Sequence, residues 1–194
     1  MTIKVVPQVV LLGLLISSSA YSKDLSGVLG IGYGFGGDEL FQGIYSSGES
    51  DEINANEGLS FFGGIDYQFS NQFSTRGTVG YKSESIEASN GEVTFSKIPF
   101  ELSFFRNFES HKLGAGVTYH TNVELECSVA GLCNSTADFK DAAGLIVQYE
   151  YAFAPLAIGR FGIGAKYTYI NYEVASNSAE FDGSGFDVHL AYMF

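Results

Sequence analysis

From residue 25 onward, large apolar side chains alternate with small or polar ones at a period of two. In the first segment, Leu25–Phe35, one face carries Leu25, Leu29, Ile31, Tyr33 and Phe35, and the other carries Ser26, Val28, Gly30, Gly32 and Gly34. Strict alternation over such a length predicts a β-strand with two chemically different faces. Seven more segments follow. Residues 59–69 set Leu59, Phe61, Ile65, Tyr67 and Phe69 against Ser60, Gly64, Asp66 and Gln68. Residues 73–82 set Phe73, Thr75, Val79 and Tyr81 against Ser74, Arg76, Thr78 and Lys82. In the fourth, Val93 and Phe95 fall out of phase with Ile98, Phe100, Leu102 and Phe104, which predicts a bulge near Lys97-Ile98-Pro99, where proline is tolerated. The fifth to eighth carry Leu113 to Tyr119, Ala143 to Phe153, Phe161 to Tyr169, and Phe186 to Phe194 at alternate positions.

The identity of the polar face decides which solvent the strands meet. That face holds Asp66, Arg76, Lys82, Lys112, Glu150, Lys166 and Asp187 among many glycines. A small barrel has no room inside for the many Phe and Tyr rings of the other face. The rings therefore point outward into lipid, and the predicted fold is an eight-stranded antiparallel up-and-down transmembrane β-barrel. A soluble, lipocalin-like barrel is the alternative. Residues 37–57, 83–92, 121–141 and 174–184 are long or polar connections, whereas 70–72, 107–110 and about 154–160 are short. This alternation suits long external loops and short periplasmic turns, with aromatic girdles at both strand ends, Phe95 falling in the outer one.

Residues 1–22 read as a secretory signal. Lys4 precedes an apolar run over 5–16, and the small residues Ala20 and Ser22 fit a cleavage site before Lys23. Residues 23–194 are then the mature barrel domain. It holds no apolar stretch near the ~20 residues of a spanning helix, so membrane entry requires a closed barrel. The 194-residue chain carries a net charge of −12 and no basic cluster, which disfavours nucleic-acid binding.

The hairpin GIDYQFSNQFSTRGTVGYK (63–82) joins an aromatic-ended strand, a tight polar turn and a glycine-spaced return strand. The last residues place Phe186, Val188, Leu190, Tyr192 and Phe194 at alternate positions. With these features, residues 23–194 resemble the small bacterial outer-membrane β-barrels of the OmpA/OmpX type. The resemblance implies export to the outer membrane, contact with its lipid and lipopolysaccharide, and a C-terminal signal read by the barrel-assembly machinery. It does not imply one activity, since members serve as anchors, adhesins, narrow pores and lipid-modifying enzymes.

Three sets of residues carry the candidate chemistry. Parity across the second hairpin sets Asp66 opposite Arg76, and Glu150 falls one diagonal step from Lys166. With Lys112 and Asp187 these charges form either a salt-bridged plug or the lining of a narrow, porin-like channel. Most of the 22 acidic residues lie in the external connections, where Lys140 is the single Lys or Arg. Asp38, Glu39, Glu49, Asp51 and Glu52 crowd the first of these. They are read either as solvation of exposed loops or as a site for a divalent cation or surface ligand, the cation bridging to lipopolysaccharide. Cys127 and Cys133 are expected to form a disulfide in an exported chain and to fix the loop tip between them. Enzymatic sites are not indicated, and no cofactor is expected. The Gly32–Gly37 match to a dinucleotide fingerprint lies in a barrel strand with no helix after it. His120-Thr121-Asn122 faintly resembles the active-site motif of outer-membrane lipid A deacylases, but Asn122 stands where they need serine. The reading is a non-enzymatic outer-membrane barrel whose acidic loops serve envelope integrity or surface interaction. A narrow channel and a lipid A-modifying enzyme are the alternatives.

Overall fold

The computed structural model describes residues 24–44, 50–88 and 90–194. The leader at 1–22 and Glu49 lie outside the described residues. The strands in chain order are β1 Leu25–Phe35, β2 Glu39–Ile44, β3 Ser50–Asn54, β4 Gly58–Ser70, β5 Phe73–Ala88, β6 Gly91–Phe108, β7 His111–Val129, β8 Cys133–Asp138, β9 Ala142–Ala152, β10 Arg160–Tyr169, β11 Asn171–Glu173, β12 Glu180–Asp182 and β13 Gly185–Met193. Eight of them pair antiparallel around a ring, β1-β4-β5-β6-β7-β9-β10-β13, and β13 returns to β1. Closure leaves the ring without an unpaired edge, which is the condition for a sheet to stand in lipid.

The apolar face is outside. Leu29, Ile65, Val79, Leu102, Val117, Leu145, Ile163 and Leu190 form an exposed mid-barrel band. Aromatic rings flank it at both ends. Phe35, Phe186 and Tyr167 sit side by side on β1, β13 and β10, with Tyr167 and Phe186 centroids 4.7 Å apart. At the short-turn end, Phe73 and Phe104 lie 5.5 Å apart, and Phe161 and Tyr192 4.8 Å apart. Leu102 sits mid-band opposite Gly77 and Val117. Leu102→Arg is expected to destabilise the barrel by about 2–4 kcal/mol in lipid, read from a denaturant titration of folded fraction.

The bulge expected near Lys97-Ile98-Pro99 is present in the β6–β7 ladder, but the phase change assigned to the fourth segment itself is corrected. β5 and β6 keep one register from Phe73↔Arg106 to Ala88↔Gly91, so β6 never changes phase. Val93, Phe95 and Lys97 point inward like Ser103 and Phe105, and Phe95 does not join the outer girdle. The irregularity lies across the ladder, where Asn122 and Val123 of β7 span the gap opposite Lys97 and Asn122 takes a φ of 49°. The physical reason is an inversion of polarity. Within the membrane band the apolar face of β6 looks out to lipid. Beyond the band, water is outside and the apolar face must look in. A strand with constant phase then reads as if it had slipped.

That inward apolar face belongs to a second core. β5, β6 and β7 run past the girdle, and β8 returns along β7. Ile53, Ile86, Val93, Phe95, Val123, Val129, Phe139, Ile170 and Tyr172 pack there into one buried cluster, with Phe41, Leu125 and Phe181 against it. Stretches read as loops over 37–57, 83–92, 121–141 and 174–184 thus contain paired strands and a core of their own.

Candidate functional site: the plugged lumen and its cap

Small residues on the inward faces make room for large ones. A side chain at Gly30 would collide with the Phe62 ring, and one at Gly114 would meet the Phe105 ring at 2.7 Å. The lumen is filled by two charged layers. Nearer the short turns, Arg76 Nε donates to Asp66 Oδ2 at 2.9 Å, and Nη1 and Nη2 donate to the Glu150 carboxylate at 2.6 and 3.1 Å. Lys112 Nζ reaches the same Asp66 oxygen at 2.8 Å. The guanidinium also lies 4.9 Å from the Phe105 centroid. Glu150 is 1% exposed and Arg76 4%, so the Arg76–Glu150 pair is removed from water.

The second layer lies toward the long loops. Lys82 Nζ donates to Asp187 Oδ1 at 2.6 Å and to Asn56 Oδ1 at 3.1 Å. Lys166 Nζ donates to Glu101 Oε1 at 2.5 Å. Within this layer about 40 Å³ remains free, beside His120, Gln148 and His189, which is room for a few water molecules. The short-turn mouth is open as a cavity of about 370 Å³ reaching Asp66 and Lys112.

A strap from the first connection closes the other mouth. Asn56 Nδ2 donates to the carbonyls of Phe35 at 3.2 Å and Phe186 at 3.4 Å. Lys97 Nζ donates to the Ala55 carbonyl at 2.5 Å, with the Phe95 and Tyr172 rings at 5.0 and 5.1 Å. His120 shares a 2.6 Å hydrogen bond with the Tyr172 hydroxyl under the same cap.

The six interior charges read from the sequence are thus gathered into the lumen, but their pairing differs in one respect. Glu150 is held by Arg76 from across the barrel, and Lys166 by Glu101, although Glu150 and Lys166 do lie one diagonal step apart. Parity exposes neighbours along a ladder and is blind to contacts through the lumen. Lys82 falls on the inward face by the same parity, and Glu101 is open to that argument too. Asn56 gave no signal at all, and Lys97 was hidden by the inverted phase of its strand.

The loop acids are spread. Asp38 accepts from the Asp182 main-chain N–H at 2.8 Å, and Glu52 from Asn54 Nδ2 at 3.3 Å. Glu39 and Asp51 stand at opposite ends of the β2–β3 ladder. Among the described residues, no three His, Cys, Asp or Glu side chains are placed to hold one metal ion. Lys140 donates to Glu173 at 2.6 Å and holds that carboxyl below its ordinary range. Partial burial, then the neighbouring Glu57, pushes the Glu84 carboxyl up. The alternate residues Phe186, Val188 and Leu190 line the lipid face of β13.

Cys127 and Cys133 stand at disulfide distance, Cα–Cα 5.8 Å, across the β7–β8 turn. Cys127→Ser is expected to lower the stability of this turn by about 2–3 kcal/mol on the chain-entropy estimate for so short a loop. Faster hydrogen exchange confined to β8 checks it. Unchanged exchange would mean that the ladder alone holds the tip.

Residues 9–194 match the family model of the outer membrane protein beta-barrel domain. The chain belongs to this family. As an outer-membrane barrel it sits in the bacterial outer membrane, among lipid and lipopolysaccharide. Two solved barrels share the fold. Ail, the attachment invasion locus protein of Yersinia pestis, solved with the heparin analogue sucrose octasulfate, is 15% identical, covers 88% of this chain and 99% of its own, and superposes with a TM-score of 0.50. The outer membrane protein OprG of Pseudomonas aeruginosa is 12% identical, covers 88% and 96%, and reaches a TM-score of 0.54. At such identities the likeness describes this barrel's architecture only. A search of curated proteins finds no match.

Proposed function

We propose that this protein is a non-enzymatic outer-membrane barrel that presents a folded, acidic, disulfide-pinned cap for surface interaction. The cap's buried core is the observation that carries this reading. Loops that merely join strands do not need Phe95, Phe139 and Tyr172 packed edge to face at 5.8 to 6.3 Å. A rigid platform presents its exposed groups in fixed positions and spends little ordering entropy on binding. The platform is acidic, so a cationic partner suits it better than a sulfated one such as the ligand solved with Ail.

The channel alternative fares less well. Two ion-paired layers cross the lumen, and Asn56 and Lys97 tie the strap over its outer mouth. The enzyme alternative has no support at His120, whose ring meets Tyr172 rather than a serine.

The test is adhesion of bacteria displaying the protein. A non-adherent host expressing the barrel should gain attachment to epithelial cells. A variant with residues 39–54 and 124–138 replaced by short turns should lose it while keeping its folded-barrel gel shift. Equal attachment of both strains would overturn the reading.

A further inference from the structure

The strand β8 is an unusual feature of this cap. The barrel itself has no edge, but β8 pairs as a strand with β7 and ends the sheet, and beyond β7 only its last residue, Asp138, is bonded across the outer side among the described residues. The direction of its main-chain groups follows from two bonds. The Phe139 N–H donates to the Val123 carbonyl at 2.9 Å, so residue 139 turns toward β7. The Asp138 carbonyl accepts from the Ala175 N–H at 2.9 Å, so residue 138 turns away. By alternation the N–H and C=O of Thr136 and Asn134 also face away from β7, and both residues are exposed. Among the described residues no strand covers them. The lower end of the same edge already accepts a strand of this chain, through the antiparallel Phe139↔Val174 bridge.

Exposed edges are ordinarily guarded by lysine, proline or a bulge. The sequence CNSTAD has neither residue, and its pairing with β7 shows no register shift. The two faces beside the edge differ in chemistry. Outward, Asp138 stands directly opposite Glu124 and Thr136 opposite Glu126. Like charges facing each other across a ladder are unfavourable, and a cation beside them relieves this. Inward, Ala137 and Cys133 continue the apolar side formed by Leu125, Cys127 and Val129.

We propose that the free edge of β8 captures an extended polypeptide segment with alternating cationic and apolar side chains. The segment adds as an antiparallel strand, exchanging main-chain hydrogen bonds with Asn134 and Thr136. Its cationic side chains lie on the face of Asp138, Glu126 and Glu124. Its apolar side chains turn toward the cap. The Cys127–Cys133 link, at the first residue of β8, holds the edge in place. The proposal rests on the surface-interaction reading and names the partner's chemistry.

The test uses the full-length barrel in phosphatidylcholine nanodiscs and a fluorescent twelve-residue peptide of alternating lysine and valine. Three comparisons accompany it: the same peptide N-methylated at alternate residues, the Thr136→Pro barrel, and the Glu126→Gln/Asp138→Asn barrel. Proline at 136 removes an N–H that faces away from β7, so the existing ladder tolerates it. Saturable binding is expected, weakened about tenfold by Thr136→Pro and by N-methylation, and weakened again by the charge-neutral pair. The N-methylated peptide keeps the test valid if Thr136→Pro does not fold. Binding that is lost on neutralisation but indifferent to Thr136→Pro and N-methylation would overturn strand addition in favour of charge alone. No peptide binding by a barrel that still confers adhesion would overturn the proposal and spare the surface reading. Neither binding nor adhesion would overturn both.

Discussion

Arg76→Met is expected to be among the most damaging single substitutions in the lumen, costing about 3–5 kcal/mol. The guanidinium serves two buried carboxylates, Asp66 and Glu150, and its removal leaves Glu150 at 1% exposure with His189 at 3.7 Å. Asp66 is less affected, because Lys112 still reaches it at 2.8 Å. The double variant Arg76→Met/Glu150→Gln is therefore expected to recover most of the loss, since it removes the stranded charge and keeps the Asp66–Lys112 pair. A denaturant titration of the four proteins, in one lipid, gives the coupling directly. Additive losses would mean that water reaches Glu150 and that the plug is looser than its geometry. The ion group is not thereby a net source of stability over an apolar filling of the same volume. It is a filling whose members depend on each other.

Phe95→Ala carries the other large effect, and the effect is local. Phe95 is 1% exposed, meets Phe139 and Tyr172 edge to face, and lies over the Lys97 ammonium. Truncating a buried phenylalanine costs about 3–5 kcal/mol through lost burial and the cavity left behind. The cap core packs beyond the girdle, on the extensions of β5, β6 and β7, so the loss should fall on the cap alone. Hydrogen exchange is expected to accelerate in β8, β11 and β12, while mid-barrel amides of β4, β10 and β13 keep their protection. Uniform acceleration would show the cap and barrel to be one cooperative unit.

The barrel was legible because one rule governs it from end to end: lipid outside, small or charged residues inside, period two. That rule set the eight strands, the outward rings and the Asp66–Arg76 pairing. It failed where the solvent changes. Past the girdle, the same alternation must be read with the faces exchanged, so Val93 and Phe95 looked like a slip and the cap core went unseen. Acidic residues on the exposed faces of the extensions then made folded strands read as solvated loops. The cross-lumen partners of Glu150 and Lys166 were out of reach for a different cause. Ladder parity fixes which side chains point inward, but contact across a closed ring depends on strand stagger and on glycines such as Gly30 and Gly114 that let large groups cross the axis.

If the lumen is a plug and the cap is the working part, single-channel recording of the refolded wild-type barrel in a planar bilayer is silent. Steady, ion-selective steps that change when Arg76 or Glu150 is neutralised would contradict it and make this barrel a pore.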